Sequence, residues 1–340
     1  MLSQSRSDVS LPNHSNHLSE EILDAVEGWT SDRIKEWSPS ARTYLASWLE
    51  PALALVDDAV WGTQYRDQVR LPISDPLEWA NRRIELSNGQ WAIAGIRFRG
   101  RHIEKPFVDI IATSVSSDPT AFDELTEVLP HFKRFSPLSL RVSSPAPMQA
   151  IASVGRPGVY DGRADIDLLI VAGPVSALRK RSCSDTGGVV LRRSDPETAV
   201  HPVAEIYSEL ADSRPGISEW ATPADLDTLS EAAEEGLLFD IVVDGVNAGT
   251  IAATRQDSYG LHGYCMEEIC IDARHRGKGL GTVALGLLSQ ELPVETGDEV
   301  LWGHIHPCNT ASLRNAQAIG REIVSGHLWL TPTGYPGMPV

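Results

Sequence analysis

The chain has 340 residues, 42% of them apolar, which is long for one domain and suits two packed cores. With 46 acidic against 29 basic residues its net charge is −17, which argues against a nucleic-acid partner and suits a cationic acceptor such as an amine, though an acidic surface also serves solubility. No apolar run reaches the length of a membrane span, and residues 1–20 are polar with no signal-peptide pattern, so they read as a flexible tail on a cytoplasmic protein with no membrane partner.

In the first half, Trp37 to Val60 is helical in character. Gln90 to Arg99 and Phe107 to Ala112 read as strands. Thr120 to Phe132 has helical periodicity, and Leu138 to Val142 is a strand followed by Pro145. These elements predict an α/β domain over residues 21–172. Residues 173–188, polar and basic in part, read as a linker to a second domain over 189–340.

The second half opens with a short strand, Val189 to Arg192. Ser194-Asp195-Pro196-Glu197 has capping-box spacing and starts a helix to about Ala211. Thr222-Pro223 reads as the next helix start, and Gly236 stops that helix. Leu238 to Val243 and Ala248 to Thr254 flank a hairpin turn at Asp244-Gly245. A strand ending at Ile271, a helix to Leu292, a strand at Val300, a helix at Ser312 and a strand from Glu322 to Leu330 complete the unit. The four cysteines (Cys183, Cys265, Cys270, Cys308) lack zinc or redox spacing and read as small buried thiols, and no metal is expected.

Arg276-Gly277-Lys278-Gly279-Leu280-Gly281 lies between the strand ending at Ile271 and a helix start. A glycine-dense turn leading into a helix is an anion cradle, because unpaired N–H groups and the helix dipole face the ligand. A Walker loop needs Ser or Thr after Lys278, where Gly279 stands. A dinucleotide fingerprint fits the spacing of Gly279, Gly281 and Ala284. It also needs an acid at the end of the next strand, and that strand ends in His306-Pro307, with Asp298 and Glu299 at its other end. The third pattern is [QR]-x-x-G-x-[GA], which Arg276, Gly279 and Gly281 satisfy.

That pattern, together with Glu268 to Gly279 upstream and Asn309-Thr310-Ala311-Ser312 and Gly320 downstream, resembles the GCN5-related N-acetyltransferase (GNAT) superfamily over about residues 189–331. The resemblance implies an α/β fold whose mixed sheet splays open between its fourth and fifth strands. It also implies acetyl-CoA as cosubstrate. Arg276, Gly277, Lys278, Gly279, Leu280, Gly281 and Thr282 would hold the pyrophosphate. Ile269, Cys270 and Ile271 would lie along the pantetheine arm, with a backbone N–H near Ile271 polarising the thioester. Asn309 and Ser312 belong to the second motif, where Asn309 also suits a helix N-cap.

Glu268 matches a family glutamate that takes the proton from the amine, and His304 and His306, on one face of the fifth strand, are rivals for that role. Strand alternation aims Glu267 at the other face. Ala316 stands where many relatives have a proton-donating Tyr. Tyr264, His304, His306, Cys308 or water are the replacements. The family's Gly-Phe is here Gly320-Arg321.

The two halves share an order of elements. Ile111 to Leu140 spans about the distance of Ile271 to Leu301, with a helix between. Proline and a short helix ending in Gly-Arg follow in both, at Gly155-Arg156 and at Gly320-Arg321. Asp165 to Val171 then answers to Glu322 to Leu330. The first half thus reads as a degenerate copy whose loop, Ser114 to Pro119, is acidic and glycine-free. Any α/β domain offers a similar order, so this reading stays open.

The expected activity is transfer of acetyl to a primary amine of a small molecule, in a pocket formed by Ser213 to Trp220, Tyr259 to Tyr264 and the fifth strand. The N-terminal half would add a wall or the surface of a homodimer. The alternatives are a protein N-terminus or lysine as acceptor, and a non-catalytic acyl-CoA-binding regulator.

Overall fold

The computed structural model describes residues 19–156, 158–181, 187–214 and 216–339. Most of the expected tail, and Cys183, lie outside the described residues. Helices α1 (Glu20–Glu27), α2 (Asp32–Trp37), α3 (Ala41–Leu53) and α4 (Ala59–Val69) come first. The stretch expected as helical from Trp37 to Val60 is therefore divided. Ser38 is extended, and Asp58 begins α4 by accepting from the Val60 and Trp61 N–H groups.

Strands β1 (Arg82–Glu85), β2 (Trp91–Phe98) and β3 (Pro106–Thr113) form an antiparallel meander. The helix expected from Thr120 to Phe132 is also broken. Only α5 (Phe122–Thr126) is α-helical, with 3-10 turns at Pro119–Ala121 and Leu129–Phe135. Pro130 has no N–H to continue an α-helix. Next come β4 (Ser139–Ser144), α6 (Pro147–Ser153), β5 (Gly162–Pro174) and α7 (Val175–Arg181). The end of β5 and all of α7 lie in the stretch expected as a linker, with Val175 and Leu178 buried in the C-terminal core.

The second half contains β6 (Val189–Arg193), α8 (Pro196–Ser213), α9 (Leu226–Glu234), β7 (Leu238–Val243) and β8 (Val246–Arg255). It continues with β9 (Gly263–Ile271), α10 (Leu280–Glu291), β10 (Val300–Ile305), α11 (Thr310–Ala318) and β11 (Glu322–Pro332). Two helix starts differ from expectation. Asp195, not Ser194, caps α8 by accepting from Thr198 N–H, and Asp225, three residues beyond Thr222, caps α9 through Thr228 N–H. Asp offers its carboxylate to the first-turn N–H groups directly and complements the helix dipole.

The strands make one mixed sheet in the order β1-β2-β3-β4-β11-β5-β10-β9-β8-β7-β6. In the C-terminal half α10 covers one face, with Ala284, Leu285 and Leu288 packed on Ile251, Tyr264 and Leu301. Each such large side chain taken out of water contributes roughly 1.5–3 kcal/mol. Helices α8 and α9 cover the other face through Val203, Ile206, Leu229 and Ala232.

The sheet has an internal pseudo-twofold relation. Strand β3 runs parallel to β4 only from Phe107–Ser139 to Asp109–Arg141, and β9 runs parallel to β10 only from Gly263–Val300 to Cys265–Trp302. Beyond those pairs each couple of strands parts into a V. Each V has a bulge at the same point: Ile111 is skipped in the β2–β3 ladder, Glu267 in the β8–β9 ladder. The last strands are exchanged. Strand β5 of the first half pairs with β10, and β11 of the second half pairs with β4. The exchanged strands meet antiparallel at the centre, where Leu169 faces Gly326 on the pseudo-axis. The repeated strand order and the repeated bulge make the first half a copy of the second in topology.

Candidate active site

The turn after β9 is built to leave donors free. Asp272 begins it, accepting from Arg274 N–H and gripping the Arg274 guanidinium, which holds its carboxyl down to about 2. Gly277 and Gly279 both have φ of +76°, a backbone that side chains rarely adopt, and a Cβ at either would meet nothing within 4 Å. Space is open on the side where the N–H groups at the start of α10 lack helical partners. Arg276 anchors its Nε on the Ile271 carbonyl at 2.8 Å, and its Nη2 is buried with no partner. A buried unpaired guanidinium N–H is costly, and a phosphate oxygen would supply the missing acceptor. The residues of the loop therefore fit a pyrophosphate.

A groove runs from this loop along Ile269, Cys270 and Ile271 to Asn309 and Ser312. Gly277, Gly279, Leu280 and Gly281 line it as well. Asn309 caps α11, its Oδ1 accepting from Ser312 N–H at 3.2 Å. Lys278 is exposed outside the groove, and the Thr282 hydroxyl donates to Asn315 Oδ1 at 3.0 Å. The side chains of Ile269 and Ile271 face α10, while Cys270 faces α8, where burial pushes its thiol up.

The groove opens into the V between β9 and β10. Here alternation fails at the bulge: Glu267 accepts from Thr254 Oγ1 at 2.8 Å and lines the same cleft as Glu268, not the opposite face. Glu268 is 3% exposed. Its Oε1 accepts from the Tyr207 hydroxyl at 3.0 Å and its Oε2 from Ala224 N–H at 2.9 Å. Burial pushes the carboxyl up to about 7, against those two donors, which favour the ionised form.

His304 and His306 share a strand face, as expected, and both line the cleft, but their surroundings differ. His304 Nε2 is 2.9 Å from the Tyr259 hydroxyl, and burial with the Arg141 charge drives it down to about 4. A group that weakly basic is a poor proton acceptor at neutral pH. His306 stacks on Trp220 at 5.6 Å between ring centres, and its Nδ1 accepts from Cys308 N–H at 3.2 Å. That bond puts the proton of the neutral ring on Nε2, so His306 is a donor.

Two residues of the cleft escaped the sequence as candidates. Tyr207 lines it from α8, where no motif marks it, while Trp220, the last residue of a segment expected at the pocket, lines it from the turn after α8. Arg321 was noticed only as a departure from Gly-Phe. It is buried in the cleft and, among the described residues, bonds only the Val171 carbonyl, at 2.9 Å, with its Nε left without a partner. Burial lowers it to about 10, and among the described residues no carboxylate lies within ion-pair distance. The segment Tyr259 to Tyr264, expected at the pocket, does not line the cleft. Tyr264 is turned to the opposite face, donating to the Pro293 carbonyl, and Tyr259 faces a cavity in the first half. Ala316 is buried against Val171 and Ile305 and offers no proton. Among the described residues no cluster of three His, Cys, Asp or Glu side chains is arranged for a metal, and no helix is long and apolar enough to cross a membrane.

A bulged, splayed strand pair, an anion loop at a helix start and a buried carboxylate in the V make up the candidate site. Residues 203–320, within the C-terminal half, match the model of the acetyltransferase (GNAT) family. No curated protein matches the chain. Among solved structures, an acetyltransferase of the GNAT family from Colwellia psychrerythraea is similar at 10% identity over 82% of this chain and 96% of that chain, with a TM-score of 0.46. A GCN5-related N-acetyltransferase from Kribbella flavida is 15% identical over 81% of this chain and 95% of that chain, with a TM-score of 0.40. A conserved protein of unknown function from Bacteroides thetaiotaomicron is 9% identical over 74% and 85%, with a TM-score of 0.44.

Proposed function

We propose that the chain is an acetyl-CoA-dependent N-acetyltransferase acting on the primary amine of a small molecule. The observation that carries this reading is Glu268, a buried carboxyl near neutrality, in a cleft continuous with the groove into which Arg276 turns an unpaired N–H. Arg276, the N–H groups of residues 277–281, Ile269, Ile271 and Asn309 would hold the cosubstrate, which when bound supplies the acetyl thioester. Glu268 takes the proton from the attacking amine, and Tyr207 and Ala224 keep its carboxylate aimed at the V. The Nε2–H of His306 stabilises the departing thiolate by hydrogen bonding, in place of the missing Tyr.

Two features support a small acceptor. Tyr207 and Trp220 wall the cleft, and α2 and α3 cover the neighbouring Trp302, leaving no long trough for a peptide. Arg321 favours an amine that also carries an anionic group, as an amino acid does. Release of CoA thiol from acetyl-CoA, measured with amino acids, simple amines and lysine peptides, tests the proposal. Turnover fastest with carboxylated amines, and a selective loss of that preference in Arg321→Met, is the expected result. Preference for peptides would move the acceptor to proteins. CoA binding without turnover on any amine would leave an acyl-CoA-binding regulator, the reading that the buried Ala316 favours.

A further inference from the structure

The V of the first half is not filled. Between β3 and β4, at the place equivalent to the candidate catalytic cleft, lies a partly open cavity of about 200 Å³. The way in that a pantetheine arm would use is closed. Trp29 Nε1 donates to the Val115 carbonyl at 2.8 Å, and the Ser117 hydroxyl donates to the Gly28 carbonyl, tying the glycine-free loop to the end of α1. Helices α1 and α3 roof the space with Val26, Leu45, Trp48 and Leu49.

The floor is polar. Ser325 and His327, from the exchanged strand β11, are 4% and 8% exposed, yet Ser325 Oγ and His327 Nδ1 have no partner and line the cavity. Asp109 is committed to Arg141 through bonds of 2.8 and 3.0 Å, and Asp167 is shared by Arg141 at 3.6 Å and Arg99 at 3.5 Å. Arg97, also on the lining, bonds among the described residues only the Ile96 carbonyl and Asn81 Oδ1. Of the charged groups on the lining, Arg141 is matched by Asp109, while Arg97, half-buried, has no carboxylate partner among the described residues. Buried polar atoms without partners, such as Ser325 Oγ and His327 Nδ1, are costly unless an occupant answers them.

We infer that this cavity is a binding site for a small organic monoanion: a carboxylate with a compact apolar body, its head on Arg97, Ser325 and His327 and its body under Trp48 and Leu45. The size suits that class, since a cavity of about 150 Å³ already admits benzene. The site is separate from acetyl transfer and does not depend on the activity proposed above.

Calorimetric titration of the full chain with phenylacetate, benzyl alcohol and benzylamine tests it. Saturable binding of phenylacetate near one per chain is expected, at least tenfold tighter than the alcohol or the amine, and unaffected by saturating CoA. Arg97→Gln should weaken phenylacetate at least tenfold while sparing the alcohol, and Ile111→Trp, which fills the cavity, should remove all three. Melting curves check that both variants fold. No saturable binding of phenylacetate by the native chain, equal affinity for the amine, competition by CoA, or full binding in folded Ile111→Trp overturns the inference.

Discussion

Glu268 is the residue on which the proposed chemistry turns. Glu268→Gln should lower kcat by roughly 10²- to 10⁴-fold, the ordinary worth of a general base, with little change in CoA affinity. In the native chain kcat/KM should rise with pH through about 7 as the carboxyl ionises. The same shift has a stability signature. A carboxyl raised on folding contributes stability below its ordinary value near 4.3 that is lost as pH climbs through about 7. Relative to Glu268→Gln, the native chain should therefore lose up to ~3 kcal/mol between pH 4 and pH 8, read by urea denaturation at each pH. The residues of the loop were legible because a phosphate cradle needs glycines and a cation in a fixed local order. Tyr207 and the aim of Glu267 were not. The first reaches the cleft only through packing. The second depends on a bulge, which belongs to a pair of strands and not to one.

At the scale of elements, the V depends on where β9 and β10 stop pairing. Gly263 opens that short parallel contact with φ of +140°, and a Cβ there would lie 2.4 Å from the Val300 carbonyl oxygen. Gly263→Ala should cost roughly 3 kcal/mol and lower the melting temperature accordingly, because backbone on both sides resists the move. Most strands of both halves were legible from alternation and turn residues. Helix starts were less so. Thr222-Pro223 offered a good start, but Asp225 took the cap, its carboxylate bonding both the N–H and the hydroxyl of Thr228. The N-terminal helices broke where Ser38 and Pro130 interrupt them, and helical periodicity alone runs across such breaks.

At the scale of the whole molecule, the repeated order of elements was legible in the matched spacing of strand, proline and Gly-Arg, while the exchange of last strands was not. Strand pairing at long sequence separation leaves no local signal. The exchange predicts that neither half stands alone. Residues 175–340 lack β5, so β10 and β11 would both expose unpaired edges. Expressed separately, the halves should be insoluble or lack a cooperative melting transition, and co-expression should restore a soluble pair. A separately soluble C-terminal half with native melting would show that the exchanged strand is dispensable. The first half has the V but not the loop, since Ser114 to Pro119 is held by Trp29 and Gly28 and has no glycine to free its N–H groups.

One measurement bears on all of this: calorimetric titration of the full chain with CoA, repeated on Gly279→Asp. A side chain at that φ strains the turn, and its charge opposes a phosphate. The predicted result is one CoA per chain, with affinity lost by on the order of 100-fold or more in the variant. Two CoA molecules per chain, or undiminished binding in Gly279→Asp, would contradict the assignment of a single acyl-CoA site to the loop at Arg276 to Gly281.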